Sequence, residues 1–329
     1  MKAFISVLTI LVSFCSIANA RNFKGFVAVS NQRSLYVDYV EAKPGMPTVI
    51  LLNGLTYTTL QFEAFTQPLL AKGIGVLRYD PYGMGQTLLK YAPILAVIPI
   101  EDQVNDLEAL LLTMNIKGPY NLAGLSYGGG LAAAFAAAYP EQMNKMIMMS
   151  PFTRPLDSQD SWIKAQVTAT RWMFPYNQYS DDDLYDYYLH QIVYATYPSA
   201  EPIVLENPFK LEAVFRLAQG IRHFSAENVT SSIPAGALHL MQARQDQYIP
   251  QNVFQDYWDK VPAASRASRL FVNGSEHKMV EAVPLFTSGW VYEILMNNPK
   301  LSGGQAYEGY PTLGNAVNTN DGSVIKVVE

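Results

Sequence analysis

One serine is set apart by its neighbours. Ser126 lies in Gly124-Leu125-Ser126-Tyr127-Gly128, between an apolar run at 120–123 and a stretch of small residues at 131–139. That order reads as a strand, a sharp turn and a helix. A serine at the tip of such a turn occupies strained backbone, so the residues two before and two after it must lack a Cβ. The turn lifts the hydroxyl above the sheet edge. The helix start behind it offers free backbone N–H groups and a positive dipole end to developing negative charge. The chemistry that fits is nucleophilic attack by Ser126, with an anionic intermediate held close by. The plainer reading of the same residues is a glycine-rich loop that packs a helix close to a sheet.

The elements that must position this serine sit in a chain of 329 residues, 49% hydrophobic and 16% charged, enough for one large globular core with an insertion. A net charge of -5 and the lack of a basic run exclude a nucleic-acid footprint. The first twenty residues read as an address. Lys2 gives a positive start, 3–17 is almost wholly apolar, and Ala18-Asn19-Ala20 is a small-x-small cleavage site, so export with cleavage after Ala20 is expected, to the periplasm or the medium. The apolar run is short for a membrane span, so no stable membrane anchor is expected after cleavage. Phe14 before Cys15 disfavours a lipoprotein. Cys15 is the only cysteine, which leaves the mature chain without a disulfide, a catalytic thiol or a cysteine-ligated metal.

Alternating apolar residues in Phe26-Val27-Ala28-Val29 and in Leu35-Tyr36-Val37-Asp38-Tyr39-Val40, around the turn Asn31-Gln32-Arg33, predict an antiparallel hairpin. Thr48-Val49-Ile50-Leu51-Leu52 is a continuous apolar run, as in a strand covered on both faces. A helix around 60–71, a strand at 74–79 and a loop at 80–87 follow. Val104, Leu107 and Leu111 share a helix face, and 145–149 is another strand. Strands alternating with helices predict a parallel sheet with helices on both faces.

Asn53-Gly54-Leu55 after an apolar strand, Asp80-x-x-Gly83-x-Gly85-x-Thr87, and Gly124-Leu125-Ser126-Tyr127-Gly128 together resemble the α/β-hydrolase superfamily over most of 23–298. The resemblance implies eight mostly parallel strands and a catalytic triad in chain order serine, acid, histidine, on loops at strand ends. The acid should follow a late strand. Asp246 does so after the strand 236–243, with Ile249-Pro250 behind it as a helix entry. The histidine should follow the last strand, and His277 follows 269–273. In this scheme His277 takes the proton of Ser126, Asp246 orients the imidazole, and the backbone N–H groups of Leu55 and Tyr127 hold the oxyanion. The sequence departs from the family in carrying Asn53 where a histidine often precedes the glycine.

Other residues admit plainer roles. His239 lies mid-strand and reads as a core residue, and His190 and His223 fall before the acid. Glu276 adjoins His277, but neighbours in sequence seldom face each other. Asp80 reads as a holder of its glycine-rich loop, and Asp181-Asp182-Asp183 as a helix start. No metal-ligand spacing stands out and no cofactor is implied.

The division expected is a signal peptide at 1–20, a core at 21–151 and 233–298, a helical cap at 152–232 and an extension at 299–329. The cap segment holds Trp162, Trp172, Phe174, Tyr176, Tyr179, Tyr185, Tyr187, Tyr188, Tyr194 and Tyr197, some packing the cap's underside and some lining an apolar pocket. A second cap helix is expected at 211–226 and a last helix at 279–296. The extension reads either as a loose tail or as a strand on the body, with no function assigned. The expectation is an exported serine hydrolase acting on carboxylic esters. The alternatives are an aminopeptidase of the proline iminopeptidase type, with Glu201, Glu206 or Glu227 holding the substrate's amino group, and a non-catalytic binding protein on the same fold.

Overall fold

A computed structural model describes residues 22–200, 207–316 and 322–327, with no side chains described at 197–200. The signal sequence with Cys15, the side chain of Tyr197, and Glu201 and Glu206 lie outside the described residues. Among the described residues no helix is long and apolar enough to cross a membrane.

The centre is a ten-stranded sheet in the order β1-β2-β4-β3-β5-β6-β7-β8-β9-β10. β1 (Asn22–Ala28) and β2 (Ser34–Val40) form the expected hairpin, closed by Val29 N–H donating to Arg33 O at 2.9 Å. β2 runs antiparallel to β4 (Gly75–Asp80). From there β4, β3 (Thr48–Leu52), β5 (Tyr120–Leu125), β6 (Met143–Met149), β7 (Leu238–Ala243) and β8 (Arg266–Val272) are parallel. Every residue of β4, β5 and β7 is buried, and so are the last four of β3, the continuous apolar run at 48–52, as in strands covered on both faces.

Each face of the sheet packs its own core. On one, Leu107, Leu110 and Leu111 of α3 (Ile100–Thr113) and Leu131 and Phe135 of α4 (Tyr127–Ala138) meet Ile50, Leu77 and Leu122. On the other, Phe65 and Leu69 of α1 (Glu63–Ala71) join Trp290 and Ile294 of α10 (Pro284–Leu295) over Val49, Ala123 and Ile147. Between β6 and β7 the chain leaves the sheet for α5 (Asp157–Met173), α6 (Asp181–Ala200) and α7 (Lys210–Ile221), and α8 (Gln251–Lys260) connects β7 to β8.

Three elements differ from the sequence reading. The sheet has ten strands rather than eight, because β9 (Gln305–Gly309) adds in parallel to β8 and β10 (Val324–Lys326) closes antiparallel on β9. Tyr307 packs its ring 5.2 Å from that of Trp290, and a Cβ on Gly309 would stand 2.4 Å from Phe286, so a glycine is needed there. The last helix is two, α9 (Met279–Ala282) and α10, because Pro284 lacks the N–H that would continue the first and suits the opening turn of the second. The loop at 80–87 runs into a short helix, α2 (Gly85–Tyr91).

The turn at Ser126 depends on close backbone contact. A Cβ on Gly128 would lie 2.1 Å from the carbonyl oxygen of Leu52, and one on Gly124 would lie 2.1 Å from that of Gly128. Backbone on both sides cannot yield as a side chain could. Gly128→Ala is therefore expected to lower unfolding free energy by on the order of 3 kcal/mol or more. Gly236→Ala, at φ +64° in open space, should cost only about 1–2 kcal/mol. Denaturant unfolding of the two variants checks this, and equal losses would contradict it.

Candidate active site

Ser126 joins β5 to α4 at φ 52° and ψ -114°, a conformation that costs a non-glycine residue on the order of 1–3 kcal/mol. It is held there from several sides. Its N–H donates to Met149 O at 3.0 Å, and its carbonyl accepts from Gly129 N–H at 2.9 Å and Phe152 N–H at 2.9 Å. Tyr127 opens α4, so its N–H has no acceptor within the helix and faces the serine end.

Leu55 comes from the loop after β3. Gly54 brings that loop to the serine turn, since a Cβ there would be 3.6 Å from Leu125 O. Asn53 turns inward rather than into the cavity: its side-chain amide donates to Tyr79 O at 3.1 Å and lies 3.5 Å from Asp80 Oδ1. This accounts for the departure noted at Asn53, which braces the loop from behind. Asp80 holds its own glycine-rich loop, as the sequence implied, and braces the loop after β3 as well. Oδ1 accepts from Thr59 N–H at 2.7 Å and Oδ2 from Gln86 N–H at 2.8 Å, so one carboxylate fastens the loops after β3 and β4 together.

Asp246 and His277 meet. The two atoms His277 Nδ1 and Asp246 Oδ2 are 2.8 Å apart, and the carboxylate side chain is fully buried. Asp246 Oδ1 accepts from the N–H groups of Tyr248 and Ile249 at 3.0 and 2.9 Å. A carboxylate can only accept, so Nδ1 carries the imidazole proton and Nε2 is left as the basic nitrogen. Gln245 N–H donates to Ser275 O at 3.0 Å and the His277 N–H to Gln247 Oε1 at 3.3 Å, joining the two loops directly.

Ser126, Leu55, Tyr127 and His277 all line one cavity of about 210 Å³. Asp246 stands behind the imidazole. The other side of the cavity belongs to α5, α6 and α7, through Ile163, Leu189, Ile192, Val193 and Ile221. Of the aromatic residues expected there, Tyr185 lines the cavity, whereas Trp172 and Tyr176 are 85% and 95% exposed. The apolar wall is thus chiefly aliphatic. Tyr248, which the sequence reading passed over, also lines the cavity and sets its ring edge-on to His277 at 5.1 Å. Its only sequence signal is its place two residues after Asp246.

The remaining histidines lie elsewhere. His239 is buried beside Ser268 Oγ at 2.8 Å, and burial, aided by Lys145, pushes its pKa down to about 3, so it is a neutral core residue. His190 stacks on Tyr194 and His223 accepts from Arg222 Nε. Glu276 is exposed, and Asp246 holds the place beside the imidazole. Among the described residues no group of three or more His, Cys, Asp or Glu could hold a metal ion.

Residues 45–281 match the family described as serine aminopeptidase, S33. The chain belongs to this family. Its fold is that of the α/β hydrolases. An α/β-hydrolase enzyme from a Medee basin deep-sea metagenome library superposes with a TM-score of 0.62 at 16% identity, covering 83% of this chain and 98% of the other. A membrane phospholipase A described as a bacterial virulence factor gives 0.61 at 18%, covering 88% and 90%. A thermophilic esterase from Thermogutta terrifontis gives 0.59 at 16%, covering 84% and 98%. At these identities the likeness is one of fold.

In this S33-family chain, burial raises the pKa of Asp80 to about 6 despite the hydrogen bonds from Gln86, Thr59 and Asn53 that oppose it. The folded state therefore holds this proton over a range where the unfolded chain has released it. The stabilisation this provides is present below about pH 4 and is lost as pH rises through about 6, amounting to as much as about 3 kcal/mol. Between about pH 4 and pH 7 the wild type should lose more unfolding free energy than Asp80→Asn, which cannot titrate. Parallel pH dependences in the two would contradict this.

Proposed function

We propose that the chain is an exported serine hydrolase that cleaves carboxylic esters through an acyl-enzyme. Ser126 Oγ attacks the ester carbonyl as His277 Nε2 takes its proton, and Asp246 stabilises the imidazolium. The N–H groups of Leu55 and Tyr127 hold the oxyanion. Collapse expels the alcohol, which takes the proton from His277. Water then attacks the acyl group, giving its proton to His277, and Ser126 leaves with that proton restored as the acid departs. The observation that carries the reading is the 2.8 Å pair of His277 and Asp246, with the imidazole lining the same cavity as a serine on a strained turn.

The aliphatic wall favours an apolar acyl group over an aminoacyl one. An aminopeptidase needs a carboxylate aimed at the substrate's amino group. Glu227 does not line the cavity; it pairs with Arg154 at 2.7 Å and with Lys260. Asp160 does line it and keeps the peptidase alternative open, though it is engaged by Lys164 at 2.6 Å and by Tyr185 OH at 3.1 Å. A binding protein without activity has no use for a strained serine and an oriented imidazole in one cavity.

Hydrolysis of p-nitrophenyl esters of graded chain length, run beside aminoacyl anilides, tests the reading. Ester turnover should exceed anilide turnover and peak at an intermediate acyl length. Ser126→Ala and His277→Ala should each lower kcat by roughly 10⁴- to 10⁶-fold, and Asp246→Asn by roughly 10⁴-fold. Faster turnover of the anilides would replace the esterase reading with the peptidase one.

A further inference from the structure

The extension past residue 298 lies outside the stretch matched by the S33 family, which ends at 281. It nonetheless reaches the roots of both loops that carry Asp246 and His277. β9 pairs in parallel with β8 so that Glu308 lies opposite Phe271 and Gly309 opposite Val272, at the end from which the histidine loop departs. One carboxylate oxygen of Glu308 accepts from Asn273 Nδ2 at 2.6 Å, and the other pairs with Arg244 Nη2. Asn273 is the first residue after β8 and Arg244 the first after β7. Asn273 is fixed further by its N–H and its side-chain amide, which both donate to Gly309 O, at 2.9 and 3.2 Å. Arg244 donates its N–H to Val272 O at 3.0 Å and lays its guanidinium 3.9 Å from the centre of the Phe271 ring.

One carboxylate on β9, the strand next to β8, thus spans two loop roots. Two residues beyond Arg244 stands Asp246, and four beyond Asn273 stands His277. The geometry points to Glu308 as a positioning residue that sets the spacing between the acid and histidine loops, a device supplied by this chain's own C-terminal extension. This rests on the reading of Asp246 and His277 as partners of Ser126. A partly exposed ion pair of this kind contributes little to global stability. A displacement of about 1 Å between catalytic groups, however, can cost about 100-fold in rate. A merely structural Glu308 and a positioning one therefore differ in what its loss disturbs.

The test uses the full chain, with active sites counted by a fluorophosphonate probe and turnover of a p-nitrophenyl ester expressed per labelled site. Glu308→Ala should lower kcat about 10- to 100-fold with KM changed less than about twofold. Its melting temperature should fall by only a few degrees. The acid limb of the pH–kcat/KM profile should move to lower pH, because a misaligned Asp246 stabilises the imidazolium less. Glu308→Gln keeps an acceptor for Asn273 but not the charge facing Arg244, so it should recover part of the loss. It also serves as the second variant if the alanine form does not fold. Asn273→Ala should fall in the same direction as Glu308→Ala. Unchanged kcat per labelled site and an unmoved acid limb in both Glu308 variants would overturn the proposal while leaving the triad reading intact. A wild type that neither labels nor turns over would overturn the triad reading and this proposal with it.

Discussion

The constraint on which the rest depends is the backbone of Ser126. A residue with a side chain sits at φ 52° only where its surroundings outweigh the strain, and here they do so through main-chain contacts. Its N–H is taken by β6 and its carbonyl by the first turn of α4 and the chain after β6. The glycines on either side let α4 press against the end of β3 at a separation that no Cβ permits. The same contact that aims the hydroxyl also brings the loop after β3, with Leu55, to the helix start. The candidate nucleophile and the candidate oxyanion donors are therefore brought together by one packing arrangement.

Around it the structure uses carboxylates as fasteners. Asp80 secures the loops after β3 and β4, Asp246 gathers the turn at Tyr248 and Ile249 as well as the imidazole, and Glu308 ties the roots of the two loops at the far strands. Each accepts from donors on two separate segments. A site assembled from several strand ends needs such cross-links, since backbone pairing within the sheet stops where the loops begin.

Much of this was legible in the residues. The serine turn has a local signature because its strain is local: glycines at 124 and 128 are demanded by contacts within a few residues and one strand. Asp246 and His277 were singled out through chain order, and the two side chains lie 2.8 Å apart. The structural roles of Asp80 and His239 followed from their setting in a strand end and a strand. What could not be read was decided by distant partners. β9 is a short, polar, glycine-containing strand between β8 and β10 whose Tyr307 and Gly309 fit Trp290 and Phe286, so no alternation announced it. Which cap residues face the cavity depends on how α5, α6 and α7 lie over the sheet. Composition pointed to aromatics, whereas α5, α6 and α7 line the cavity chiefly with isoleucine, leucine and valine, Tyr185 being the aromatic among them. The break at Pro284 separates two helices with a common apolar face, a boundary that periodicity alone runs through.

The central claim is that the hydroxyl at 126, the imidazole at 277 and the N–H groups at 55 and 127 converge on one reacting carbon. The most direct measurement is a crystal structure of the protein after reaction with a fluorophosphonate. Phosphorus is expected on Ser126 Oγ, with a phosphoryl oxygen within hydrogen-bond reach of the N–H groups of Leu55 and Tyr127 and His277 Nε2 facing the former leaving group. An adduct on another residue, or an imidazole out of reach of Oγ, would contradict it.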